Sequence, residues 1–322
     1  MPGHATRRWV SGSAGHRRTG RIQPAGATRH TRVMPLTTSA AATREATAAA
    51  VAVAARFGLT AGEPEIMADG ANIIVHLHPA PVVAKVAAST PEVRPDVGSW
   101  LQRELDVALF LGRAGAPVMA PSSEVPAAVH RAGGHVMTFW RYLKPAGSPV
   151  PDEATIGSML ADLHAVLRTY PVAFPVLTPL QDVPAFLARP QTRLSEAESA
   201  ALQAAFTRLT AELDPQSAAL QVLHGDAGAG NLMATEHGWV WHDFEDTCSG
   251  PVSWDLAAST ASQRLDGARI LAAYGGAADR EQIAVCEQLR RLHLTVWYAL
   301  YAERLPQCQP RAAELLASWP AP

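Results

Sequence analysis

Asp226, Asn231 and Asp243 are three oxygen-bearing side chains spaced five and then twelve residues apart. The stretch opens His224-Gly225-Asp226-Ala227-Gly228-Ala229-Gly230-Asn231. An apolar run follows, and then Trp241-His242-Asp243-Phe244-Glu245-Asp246. A carboxylate, a neutral amide and a second carboxylate suit movement of a phosphoryl group. Such a group carries spread negative charge, and it needs positioning, metal charge and an acceptor for one proton more than it needs covalent help. Asp226 is the candidate to orient a substrate hydroxyl and take that proton. Asn231 and Asp243 are candidate ligands for Mg²⁺, a hard ion that takes oxygen donors and keeps places for water and nucleotide phosphate. Glycines at 225, 228 and 230 let the backbone turn tightly around Asp226.

An Asp, an Asn five residues on and a later Asp-Phe pair follow the order of the protein-kinase signature. With His224-Gly225 in front and Glu245-Asp246 behind, the chain resembles the aminoglycoside phosphotransferase and choline kinase-like family, small-molecule kinases with a protein-kinase-like fold. That family often carries a histidine two residues after the Asp, where this chain has Gly228. Trp254-Asp255-Leu256-Ala257 resembles the family's turn into a helix after the metal Asp, and a plain helix N-cap is the other reading of Asp255. The resemblance implies an α+β, two-lobed protein-kinase-like fold: a small antiparallel-sheet N-lobe with one key helix and a mostly helical C-lobe. It further implies ATP (or GTP), Mg²⁺, and transfer of the γ-phosphoryl to a hydroxyl of an aminoglycoside-like antibiotic, an amino alcohol or a sugar. His224 would brace the loop. Glu245 and Asp246 would either touch the metal's waters or a cationic substrate, or cap the loop.

A small lobe of this kind needs a lysine and a partner glutamate. Val82-Val83-Ala84-Lys85-Val86 reads as a short buried strand that carries a lysine, in a chain with two lysines against 25 arginines. Glu104 sits about one turn into a predicted helix over 100–111, whose apolar residues recur at helical spacing, and Asp106 is its nearby competitor. Gly70-Ala71-Asn72 resembles the family's short loop over the nucleotide phosphates, which makes Gly70 and Asn72 candidate nucleotide contacts. Residues 135–143 read as an apolar strand leading to the interlobe hinge, with backbone near Phe139 and Trp140 expected to meet the base.

Beyond these positions the sequence sets bounds. Residues 1–33 hold seven arginines and no acid, so the formal charge of −2 splits into +7 here and −9 for the remainder. The basic segment is expected to be a disordered tail, with an N-lobe over 34–138 and a C-lobe over 139–322. An acidic body argues against a nucleic-acid partner, and no apolar run reaches the ~20 residues of a membrane span. Three scattered cysteines read as free thiols, consistent with a cytoplasmic setting. Helices are expected at 153–167, 195–213, 256–275, 281–304 and 310–318, short strands at 218–224 and 239–243, and a long connection over 171–194. His164 is expected to be a packed, hydrogen-bonded histidine. Two other classes remain open: a metal-dependent phosphohydrolase using His224, Asp226, His242 and Asp243, and a kinase-shaped binding protein without catalysis.

Overall fold

The computed structural model describes residues 40–146, 150–190, 192–213, 219–276, 278–303 and 305–320. The basic segment 1–33 lies outside them. Five antiparallel strands form one sheet: β1 (Glu65–Asp69), β2 (Asn72–His76), β3 (Val82–Ala87), β4 (His130–Ala132) and β5 (His135–Arg141), in the order β1-β2-β3-β5-β4. Helix α1 (Ala40–Ala55) packs Ala46, Ala50 and Val53 on one face of the sheet. Helix α2 (Val97–Arg113) covers the other. All six residues of β3 are therefore buried. Side chains alternate faces along a strand, so Val82, Ala84 and Val86 join the α1 core, while Val83 and Ala87 pack toward α2. Lys85 shares their face. In register it sits between Ile74 of β2 and Thr138 of β5. Strand β5 carries the sheet to Arg141, past the boundary expected at 138.

The rest of the chain is mostly helical: α3 (Glu153–Leu167), α4 (Asp182–Leu187), α5 (Glu196–Glu212), α6 (Ser253–Thr260), α7 (Gly267–Tyr274), α8 (Arg280–Ala302) and α9 (Gln309–Ala317). Two short strand pairs carry the signature residues. Strand β6 (Gln221–Leu223) pairs with β9 (Cys248–Gly250), and β7 (Leu232–Thr235) pairs with β8 (Gly238–Trp241). Trp241, Phe244, Trp254 and Leu223 are buried together beneath them.

Two expectations change. The single helix over 256–275 is two helices, because the Asp266 carboxylate accepts the amides of Ala268 and Arg269 and starts α7 afresh. The connection over 171–194 is not bare: it contains a 3₁₀ turn at Thr178–Gln181 and then α4.

Helices α3 and α7 meet across Gly157, where an added Cβ would lie 2.3 Å from the Ile270 carbonyl oxygen and 2.7 Å from the Ala273 Cβ. Gly157→Ala is expected to destabilise by about 1–3 kcal/mol through overpacking. Gly112→Ala, in open space on α2, is expected to be neutral or to stabilise by up to about 1 kcal/mol. Urea unfolding of the two variants checks both.

Candidate active site

The loop after β6 is held by its backbone. Gly225 has φ +89°, and a Cβ there would fall 1.9 Å from the carbonyl oxygen of Asp246, so only glycine fits. Asp255 accepts the amides of His224 at 2.8 Å and Gly225 at 2.9 Å. It lies inside α6, which Val252 precedes as N-cap, so the N-cap reading of Asp255 is replaced by a brace for the loop. His164, fully buried, lies with Nε2 3.0 Å from Asp255 Oδ2 and Nδ1 2.9 Å from the Tyr274 hydroxyl. Burial pushes the Asp255 carboxyl up, but the bond from His164 and the nearby Arg290 hold it below the usual carboxylate range. The Trp254 indole donates to the Gly225 carbonyl, and the Ser259 hydroxyl donates to that of Ala227.

His224 is spent on the same scaffold. Its Nδ1 accepts the Asp226 amide at 3.3 Å, which leaves Nε2–H to donate to the His242 carbonyl at 3.1 Å. Burial pushes its pKa down, in keeping with a neutral ring. With both ring nitrogens engaged, His224 has no lone pair for a metal, which removes the first ligand of the phosphohydrolase alternative.

Asn231 donates from Nδ2 to the Asp226 carbonyl at 2.7 Å and to Asp226 Oδ2 at 3.0 Å. Its carbonyl accepts the amide of His242, so the residue before Asp243 is tied to Asn231. Asp243 itself has φ +65°, a left-handed conformation that costs a non-glycine residue about 1–2 kcal/mol. It aims its carboxylate at the small lobe.

There Lys85 Nζ meets three carboxylates: Glu104 at 2.9 and 3.0 Å, Asp243 at 2.6 Å and Glu245 at 3.0 Å. Asp106, the competitor of Glu104, is exposed and takes Gln102 instead. Glu245 also accepts the Asn72 amide at 2.8 Å and Arg94 Nη1 at 3.0 Å. Arg94 is a residue the sequence reading missed. It is buried 3.7 Å over the Trp100 ring, and it binds Asp182 and lies 2.8 Å from Asp246. Glu245 and Asp246 are thus ion-paired inside the site and do not serve as loop caps. Burial raises the Lys85 desolvation penalty, yet the charges of Asp243, Glu104 and Glu245 outweigh it and hold the ammonium well above its ordinary pKa. Burial pushes Glu104 up to about 8 against the pull of Lys85, and Asp246 to about 6 against that of Arg94. One oxygen each of Glu104, Asp243 and Glu245 lie within 4.8 Å of one another, a hard-oxygen donor set of the kind Mg²⁺ takes.

Gly70 lies in the turn between β1 and β2 and donates its amide to the Asn72 carbonyl. Phe139 and Trp140 are not brought to this cluster. Trp140 is paired with Val83, and the Phe139 carbonyl accepts the amide of Ser122. These groups of their backbone belong to the sheet.

Asp226, Asp243, Glu245 and Asn72 line one cavity of about 730 Å³, whose far wall is Leu294, Trp297 and Tyr298 of α8. The model of the phosphotransferase enzyme family matches residues 81–292, from the lysine strand to α8. The chain belongs to this phosphotransferase family. Solved structures agree on the fold. A choline kinase of Streptococcus pneumoniae superposes with TM-score 0.59 at 16% identity, covering 85% of this chain and 100% of its own. A choline/ethanolamine kinase family protein of Mesorhizobium loti gives 0.55 at 19%, covering 86% and 98%. An aminoglycoside phosphotransferase of Streptomyces rimosus gives 0.56 at 17%, covering 77% and 98%. No curated protein sequence matches. The phosphotransferase is thus a small-molecule kinase by family and a two-lobed kinase by fold. Among its described residues no helix is long and apolar enough to cross a membrane.

Two outcomes follow for this phosphotransferase. The folded Glu104 carboxyl holds its proton more tightly than the unfolded one, so its contribution to stability is lost as pH rises from about 4.5 through about 8. His224, pushed down, has the opposite slope, and a variant at 104 isolates the carboxyl. In nucleotide-free, metal-free protein, Glu104→Gln is expected to flatten the fall in melting temperature across that window. Asp255→Asn, which turns an amide donor toward one loop N–H, is expected to destabilise by on the order of 3 kcal/mol in urea.

Proposed function

We propose that this phosphotransferase moves the γ-phosphoryl of ATP (or GTP) to a hydroxyl of a small molecule held in the cavity. The observation that carries the reading is the meeting of the Lys85–Glu104 pair with Asp243 on the wall of the cavity that Asp226 also lines. Lys85 would clamp nucleotide phosphates, with Glu104 fixing its ammonium. Asn231 and Asp243, with Glu245 beside them, fit Mg²⁺, which would supply charge to neutralise the phosphates when bound. Asn72, tied to Glu245, and Gly70 would lie over the nucleotide. Asp226 would orient the acceptor hydroxyl and receive its proton. Two structural neighbours carry nucleotide ligands by description: an amicoumacin kinase with AMP-PNP and Ca²⁺, and an aminoglycoside phosphotransferase with GDP and kanamycin.

The cavity volume falls in the range of pockets that take drug-sized ligands. Four of its carboxylates already have cationic partners: Asp226 has Arg290, Asp243 has Lys85, Glu245 has both Lys85 and Arg94, and Asp246 has Arg94. Glu287, at the exposed side, takes only the Thr260 hydroxyl among the described residues. One carboxylate beside an aromatic wall favours an amino alcohol, or an antibiotic with a single amine, over a sugar bearing many amines.

The test is nucleotide turnover by the full-length protein with Mg²⁺ against aminoglycosides, macrolides, amino alcohols and sugars. Acceptor-dependent ADP release is expected, falling by at least about 100-fold in Asp226→Ala, the usual scale for loss of a general base. Absence of nucleotide binding would overturn the reading.

A further inference from the structure

The loop from His224 to Asn231 carries no charged side chain beside Asp226, since residues 227–230 are alanine and glycine and His224 is buried and neutral. A cation nevertheless reaches Asp226. Arg290 on α8 donates from Nη1 to the Gly225 carbonyl at 3.0 Å and from Nη2 to Asp226 Oδ1. Its guanidinium carbon lies 5.0 Å from the centroid of Trp254, whose indole donates to the same Gly225 carbonyl. Asn231 holds the other carboxylate oxygen. The Asp226 carboxylate is thereby gripped at both oxygens, and each keeps a lone pair for an incoming hydroxyl. Arg290 also lines the cavity.

We propose that Arg290 is a positioning residue for phosphoryl transfer, acting through Asp226 and resting on the kinase reading above. In that reaction the acceptor O–H proton passes to Asp226 and the acceptor oxygen bonds to the γ-phosphorus. The bond from phosphorus to the bridging oxygen breaks, and its electron pair leaves on the nucleoside diphosphate. Asp226 becomes neutral as it takes the proton. The charge of Arg290 then loses its partner at the moment a phosphate ester forms beside it. A planar guanidinium suits both tasks, because it is always protonated and can hold a carbonyl and a carboxylate at once, which an ammonium does with less direction. Two other roles make different forecasts. A mere brick for the loop would change stability alone. A lock on the base would slow the wild type and speed its variants.

The experiment is steady-state kinetics of Arg290→Gln, Arg290→Lys and Arg290→Ala with an accepted substrate, alongside nucleotide affinity and melting temperature. For Arg290→Gln, kcat is expected to fall by about 100-fold, the scale of a misplaced reacting group. The KM for ATP is expected to stay within about threefold, and Arg290→Lys to recover part of the loss. On the Asp226→Ala background the Gln substitution is expected to add less than about threefold, because residues that act as a unit are not additive. Millimolar guanidinium is expected to restore part of the activity of Arg290→Ala. Unchanged or raised kcat in Arg290→Gln overturns the inference, as do full additivity with Asp226→Ala and loss of melting temperature alone. Should Gln and Ala fail to fold, Arg290→Lys carries the same test, and wild-type kcat in it would overturn the role. A wild type that turns over no acceptor overturns the kinase reading itself, whereas an active wild type with an equally active Arg290→Gln overturns only Arg290.

Discussion

One buried ammonium joins the two halves of this site. Lys85 is almost wholly out of water, and an isolated charge there would be prohibitive. It is tolerated because three carboxylates from two places converge on it: Glu104 from α2, and Asp243 and Glu245 from the turn after β8. Each contact constrains a different part of the chain. The strand must present Lys85 on its α2 face, the helix must turn Glu104 inward, and the turn must hold Asp243 in a left-handed conformation that few non-glycine residues adopt. Removing one partner would leave the others buried and uncompensated, which is why the arrangement specifies geometry more than it adds stability.

Arg94 is a second knot of the same kind. It leaves the segment before α2 and reaches Asp182 of α4 and Glu245 and Asp246 of the large lobe, under a tryptophan ring. Five carboxylates therefore share two permanent cations, and Glu245 belongs to both knots. Burial raises the Glu104 and Asp246 carboxyls above their ordinary values, and the neighbouring carboxylates add to that rise. Under the proposed function, a divalent cation bound with nucleotide phosphates would be the counterweight: the carboxylates would hold the metal and Lys85 would hold the phosphates.

What the sequence made legible was local. The five-residue interval from Asp226 to Asn231 is a property of one loop, and the alternation around Lys85 and the helical spacing around Glu104 are properties of one strand and one helix. The structure brings all three together. What it did not make legible was distant. Arg94 finds partners 88 and 151 residues away, and Arg290 finds Asp226 at a separation of 64. An arginine in a chain with 25 of them has no local mark that sets it apart. Asp255 stayed between two readings for a related reason: at a helix start, an acid bracing a neighbouring loop and an acid capping its own helix have the same sequence.

The loop that carries Asp226 owes its shape to α6 more than to itself. Its amides end on Asp255, its carbonyls take Trp254 and Ser259, and all three belong to that one helix. The next residues of α6, Ala257, Ala258 and Thr260, line the cavity, and α8 packs against α6 while supplying Arg290 and the aromatic wall. The shape of the cavity and the setting of Asp226 are therefore not independent. A substitution that widens the cavity by moving α6 also shifts the acceptors that hold His224 and Gly225, and the carboxylate of Asp226 moves with them. Changes confined to the cavity wall on α8 at Leu294 or Tyr298 escape this coupling, because they touch the wall without touching the loop. In this architecture the cavity wall has room to change at Leu294 and Tyr298, while the setting of Asp226 is guarded by α6 and by Arg290 of α8.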